Sequence, residues 1–113
     1  MSTNKQPKKK REFRYHPIIY TCRNGKTIMI DHPAFIFLEQ DGNYYYVTIT
    51  HSNKINEQIV FRLKKNPNPN DKKDAFCVME IRNDKKQKFG SKRKSWTIDP
   101  EDEEKIIQLF YKK

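Results

Sequence analysis

Three histidines, His16, His32 and His51, are the side chains best suited to moving protons near neutral pH. His32 stands just before an apolar run at residues 34–39 (AFIFLE). A second run at residues 43–50 (NYYYVTIT) ends in Thr50, followed by His51 and Ser52. Asp41-Gly42 lies between them and favours a tight hairpin turn. In an antiparallel hairpin the start of one strand adjoins the end of the other. His32 and Thr50 are therefore expected to be neighbours, with His51 and Ser52 beside them. An imidazole next to hydroxyls can bind a phosphodiester and transfer protons. RNA supplies its own nucleophile, the 2′-hydroxyl, so neither metal nor other cofactor is needed. The structural reading of the same residues is that they only close strand ends, satisfied by backbone groups.

Other chemistries find no support in the pattern. The histidines and the two cysteines, Cys22 and Cys77, lack the short spacings of zinc ligands, and no CxxC pair occurs. With 3 glycines in the chain there is no phosphate-binding glycine loop. No strand–nucleophile–helix signature of a hydrolase is present.

The 113 residues suit one domain, and 24 Lys+Arg against 14 Asp+Glu give a net charge of +10. That charge favours polyanions, nucleic acid first. It is concentrated in two segments. One, near the N-terminus, includes Lys8, Lys9, Lys10 and Arg11. The other, residues 82–94, includes Lys85, Lys86, Lys88, Lys92, Arg93 and Lys94, and is interleaved with Phe89 and followed by Trp96. Cations that meet phosphates beside rings that stack on bases suit a nucleic-acid surface. Equally, Phe89 and Trp96 can anchor a basic loop to the core. No apolar run approaches the roughly 18 residues that span a bilayer, and none follows the basic start as in a secretory signal. A cytoplasmic chain with reduced thiols is the expectation.

The elements that must position these residues are short. Residues 1–12 read as a flexible basic arm and residues 13–113 as a single domain. Residues 13–21 (FRYHPIIYT) predict a first strand, at an edge because of Pro17. Asn24-Gly25 predicts a turn, and residues 26–30 (KTIMI) a strand. The runs at 34–39 and 43–50 form the hairpin already described. Residues 57–63 and 75–81 predict two further strands, separated by a Pro- and Asn-rich loop at 64–73. Residues 82–94 read as a basic loop and 94–98 as a short strand. Asp99-Pro100-Glu101-Asp102 opens a helix, with a cap, a proline at the first position and an acidic first turn. Ile106, Ile107, Leu109 and Phe110 share one side of it. The fold class is mainly β with one C-terminal α-helix, a small bent sheet or barrel.

The order of these motifs resembles the MazF/PemK-like toxins, endoribonucleases of plasmid and chromosomal toxin–antitoxin systems. The resemblance rests on His32-Pro33-Ala34-Phe35-Ile36-Phe37-Leu38, Tyr46-Val47-Thr48-Ile49-Thr50, Val78-Met79-Glu80-Ile81-Arg82, and Asp99-Pro100-Glu101 opening the last helix. It implies an SH3-like β-barrel, a homodimer, an acidic antitoxin partner and metal-free cleavage of single-stranded RNA to a cyclic phosphate. It also implies that Thr50 serves the scissile phosphate. Where the family carries Arg before the proline, this chain has His32. That residue can transfer protons but offers no bidentate clamp when neutral. Arg82 matches a family arginine that supports the fold or the dimer.

Two further classes of function fit the same features. One is a non-catalytic RNA- or DNA-binding accessory protein of a plasmid, phage or other mobile element. The other is an interaction protein whose basic surface meets an acidic partner.

Overall fold

A computed structural model describes residues 7–51 and 60–111. Residues 1–6, the segment 52–59 with Ser52, and residues 112–113 lie outside the described part. Six antiparallel strands form one sheet: β1 (Lys8–Thr21), β2 (Thr27–Gln40), β3 (Asn43–Thr50), β4 (Val60–Arg62), β5 (Phe76–Val78) and β6 (Arg82–Lys85). A single 3-10 turn at Lys86–Lys88 follows, and α1 (Pro100–Tyr111) closes the described chain. The strand order is β1-β2-β3-β5-β4, with β6 also on β3.

Two turns set the registers. Asp41 and Gly42 both have positive φ, 56° and 80°, the backbone of a two-residue hairpin turn. They pair β2 with β3, Gln40 facing Asn43; a bulge between Ile36 and Leu38 then shifts the ladder by one residue, so that Phe35 faces Val47 and Ala34 faces Thr48. Gly25, at φ 84°, closes the turn between β1 and β2, where Ile18 faces Ile30 and His16 faces His32. β3 then changes partners on its other edge. Its first half pairs with β6 (Tyr44 with Asp84, Tyr46 with Arg82) and its end with β5 (Ile49 with Cys77, Thr50 with Phe76).

The centre of β2 is buried on both sides, as its unbroken apolar run requires. One side joins Phe13, Phe35, Phe37, Val47, Ile49, Cys77 and Ile106 in the main core, against which Trp96, Ile107 and Phe110 pack. The other gathers Ala34, Ile36, Tyr44, Tyr46 and Phe89. Burying a large apolar side chain contributes roughly 1.5–3 kcal/mol, so these two layers dominate the stability. Phe89 therefore anchors the basic segment to the core, whereas Trp96 is only half-buried.

Asp99 caps α1: its Oδ1 accepts from Glu101 N at 2.9 Å and its carbonyl from Glu103 N. Asp102, fully buried, accepts the Lys64 main-chain N–H at 2.9 and 3.2 Å and ties the helix to the loop after β4.

Several boundaries differ from the sequence reading. Residues 8–12, assigned by composition to the flexible arm, are the start of β1. Carboxylates offset part of their charge, since Lys10 lies 3.3 Å from Glu39 and Arg11 2.8 Å from Glu103. Residues 26–30 and 34–39 belong to one strand that runs through Pro33. The ladder with β3 begins only at Ala34, so β2 is at an edge where the proline enters it. Residues 82–85, read as loop, form β6. Residues 94–98 form no strand.

Candidate nucleic-acid cleft

A cleft of about 340 Å³ opens where β2 enters the body and β3 leaves it. Its lining includes Tyr15, His32, Ile49, Thr50, His51, Asn66, Asn68, Asp71 and Trp96. His32 and Thr50 thus meet at one rim, together with His51. The β2–β3 ladder ends at the Ala34–Thr48 pair, and His32 and Thr50 stand two residues beyond it on their own strands. Thr50 is buried and pairs with Phe76, while His32 is half-buried. Ser52 lies outside the described residues.

The two imidazoles have different surroundings. Burial pushes the pKa of His32 below its ordinary value, opposed by Asp31 and reinforced by the charge of His51. His32 is thus a neutral base at pH 7. His51 has about half of its side chain exposed. Its Nδ1 lies 3.1 Å from the Asp74 carbonyl oxygen and its Nε2 3.0 Å from Asp71 Oδ2. Both partners are acceptors, so the ring donates to both only when both nitrogens carry protons.

One wall of the cleft is aromatic. Trp96 packs on Phe13 and meets Tyr15 edge-on at 5.9 Å between centroids. The Arg93 guanidinium lies 5.4 Å from the Tyr15 centroid and 5.8 Å from that of Trp96. The segment after β6 is held there by its main chain. Gly90 N donates to Tyr15 O at 2.9 Å and Arg93 N to Phe13 O at 2.8 Å, along the outer edge of β1. The opposite wall is the loop at 64–73. Asn68 N bonds Asn66 Oδ1, Asn70 N bonds Asn68 Oδ1 and Lys73 N bonds Asp71 Oδ1, each at 3.0 Å. Such Asx turns fix a loop without a ladder.

The predicted cations divide into groups. Arg93 packs on two of the lining rings, Tyr15 and Trp96, without itself lining the cleft, and is flanked in sequence by Lys92 and Lys94. These two, with Lys85 and Lys88, are exposed and make no ion pair among the described residues. Lys86 is held 2.7 Å from Glu39, whose pKa this hydrogen bond lowers. Lys10 shares Glu39, and Arg11 pairs with Glu103 at 2.8 Å. Lys8, Lys9, Lys10 and Arg11 stand toward the far end of β1, roughly 13–23 Å along the strand from Tyr15. They do not join the cleft; Lys9, Lys10 and Arg11 border a separate groove beside α1.

His16 pairs with His32 in the β1–β2 ladder, but its side chain does not line the cleft. It is buried against Phe89 and Tyr46 and bonded to Asp84. Among the described residues no group of three or more His, Cys, Asp or Glu converges as a metal site. No helix among them is long and apolar enough to cross a membrane.

Tyr15, Asn66, Asn68 and Asp71 are cleft residues that the sequence reading missed. The repeated Asn-Pro steps at residues 66–69 signal a rigid turn, but nothing in the spacing places that turn against β3. No family model, curated protein or solved structure matches the chain.

Proposed function

We propose that the chain is a MazF/PemK-like toxin, a metal-independent endoribonuclease cleaving single-stranded RNA on a small SH3-like barrel. The observation that carries this reading is the shared cleft of His32, Thr50 and His51 beside an aromatic wall bearing Arg93. In the reaction neutral His32 takes the proton of the 2′-hydroxyl as its oxygen attacks the adjacent phosphorus. The Thr50 hydroxyl donates to a non-bridging phosphate oxygen. Arg93, Lys92 and Lys94 neutralise the neighbouring phosphates, and Trp96 offers a ring edge to an unstacked base. Hydrogen bonds aimed at the charge that develops on phosphorus stabilise the transition state most. The products are a 2′,3′-cyclic phosphate and a 5′-hydroxyl. The family reading also brings a homodimer, an acidic antitoxin partner and a cytoplasmic site of action.

Incubation with single-stranded RNA in the presence of a chelator tests the reading. Fragments ending in cyclic phosphate are expected. Cleavage undiminished in both His32→Ala and Thr50→Ala overturns the assigned roles.

A second reading rests on the exposed lysines 85, 88, 92 and 94, which favour polyanion binding whatever the cleft does. A non-catalytic accessory protein of a mobile element would bind RNA or DNA with strong salt dependence and leave the strand intact.

A further inference from the structure

His51 and Asp71 form a dyad at the cleft with a definite orientation. The His51 Nδ1 bond goes to the main-chain carbonyl of Asp74, which is not part of the cleft lining. Nε2 instead points to the Asp71 carboxylate, which is. A main-chain carbonyl on one ring nitrogen fixes which nitrogen faces the reacting groups. Asp71 is itself immobilised, because its Oδ1 accepts from Lys73 N while Oδ2 takes His51. The loop that carries it is closed by Asn66 Nδ2 donating to the Lys73 carbonyl at 2.9 Å.

We propose that His51 is the proton donor of the cleavage reaction, giving its Nε2 proton to the leaving 5′-oxygen, and that Asp71 is its positioning residue. This rests on the endoribonuclease reading above and completes its proton balance. The O2′–P bond forms as the 2′-hydroxyl proton passes to His32. The P–O5′ bond breaks as the 5′-oxygen takes the Nε2 proton in place of Asp71 Oδ2. His32 leaves the step protonated and His51 neutral, and solvent returns both to their starting forms. Two titratable groups in unlike surroundings divide acid and base work in this way. The charged groups around the pair are Asp31 beside His32, and Asp71, Lys73 and Asp74 around His51. The Asp74 carboxylate is engaged by Arg62 at 3.0 Å.

The experiment compares ordinary RNA with the same oligonucleotide carrying a 5′-bridging sulfur at one linkage. A thiolate leaves without a proton donor. On ordinary RNA, His51→Ala and His51→Gln should lose roughly 100-fold or more, the usual scale of a lost general acid. On the sulfur-bridged linkage both should return to within about tenfold of wild type, whereas His32→Ala stays slow on both. Asp71→Asn should move the alkaline fall of the pH–rate profile to lower pH on ordinary RNA, with no such shift on the sulfur-bridged linkage. The assignment is overturned if the His51 variants are equally slow on both substrates or unimpaired on ordinary RNA. It is overturned equally if Asp71→Asn scales the rate without moving the profile. Wild-type protein that cleaves neither substrate refutes the nuclease reading itself, and the donor assignment with it.

Discussion

The His16 Nε2 donates to Asp84 Oδ2 across 2.9 Å, joining residues 68 positions apart in the chain. On the other side of the ring, the Tyr46 hydroxyl lies 3.3 Å from Nδ1. Burial, against the pull of nearby Arg82, raises the Tyr46 pKa, so this hydroxyl stays protonated and donates. The ring thus bridges both neighbours at once, and Phe89 packs beside it at 4.5 Å between centroids. The network thereby fastens β6 and the anchor of the basic segment to β1, just before the main-chain bonds that hold Gly90 and Arg93. His16→Ala should cost about 2–4 kcal/mol in urea unfolding, through lost packing and two orphaned partners. Tyr46→Phe should cost about 1 kcal/mol. The pKa of Asp84 is lowered: burial raises it, but hydrogen bonds from His16 and the Lys85 main chain outweigh that. Its stabilisation is thus present above the ordinary 3.8 and lost as pH falls through the lower folded value.

Asp102 carries the opposite sign. Burial raises its pKa despite the hydrogen bonds from the Lys64 and Lys65 main chain. The folded state therefore holds that proton more tightly. Its contribution to stability is fully present below the ordinary 3.8 and is withdrawn as pH rises through the folded value. Wild type should be most stable relative to Asp102→Asn at low pH and lose ground as pH rises. Asp102→Ala, which leaves the Lys64 N–H without its acceptor, should lose about 1–3 kcal/mol. Urea titrations of the three proteins between pH 3 and 7 check both statements.

Electrostatics sorts the lysines for nucleic-acid binding. Lys10 and Lys86 share the Glu39 carboxylate, which offsets part of their charge, so Lys10→Ala and Lys86→Ala should weaken binding less than Lys92→Ala, Arg93→Ala or Lys94→Ala. Each cation that meets a phosphate should lower the slope of log K against log salt by about one when removed. Fluorescence anisotropy with a labelled single strand measures this. Equal losses at paired and unpaired lysines would contradict the cleft-side track.

His32 gives a kinetic and a stability signature together. Its folded pKa lies below 6.5 because burial disfavours the charged ring. Cleavage that needs the neutral ring should therefore rise with pH below 6.5 and level off by pH 7. The stability due to a buried neutral His32 is present above 6.5 and lost as pH falls through the folded value. His32→Gln should abolish the rate limb and flatten the corresponding part of the stability curve, read by initial rates and by Tm against pH.

Much of this molecule follows from local rules. Asp41-Gly42 accepts positive φ at two successive positions, so β3 occupies the residues its alternation predicts, Asn43–Thr50; bringing His32 to the end where Thr50 lies also takes the bulge between Ile36 and Leu38, which shifts the ladder by one residue. Asp99-Pro100 starts α1 where its cap and proline require, because helix ends depend on neighbours within a few residues. The remainder was decided between distant segments. Arg82–Lys85 carries no strand-like side-chain pattern, yet it forms β6 because the edge of β3 needs backbone partners and those residues can supply them. Residues 94–98 carry an aromatic and β-branched pattern and stay irregular, with Trp96 turned toward Phe13 and Tyr15 instead. Asp71 meets His51 because a loop built of Asx turns packs against the end of β3, a contact that no spacing along the chain encodes. The sequence by itself determined the turns, the helix start and the place of the hairpin, since their causes are short-range torsions and hydrogen bonds. Only the tertiary structure decided which edges were filled and which walls close the cleft, since those depend on what distant backbone and apolar surface remain to be paired.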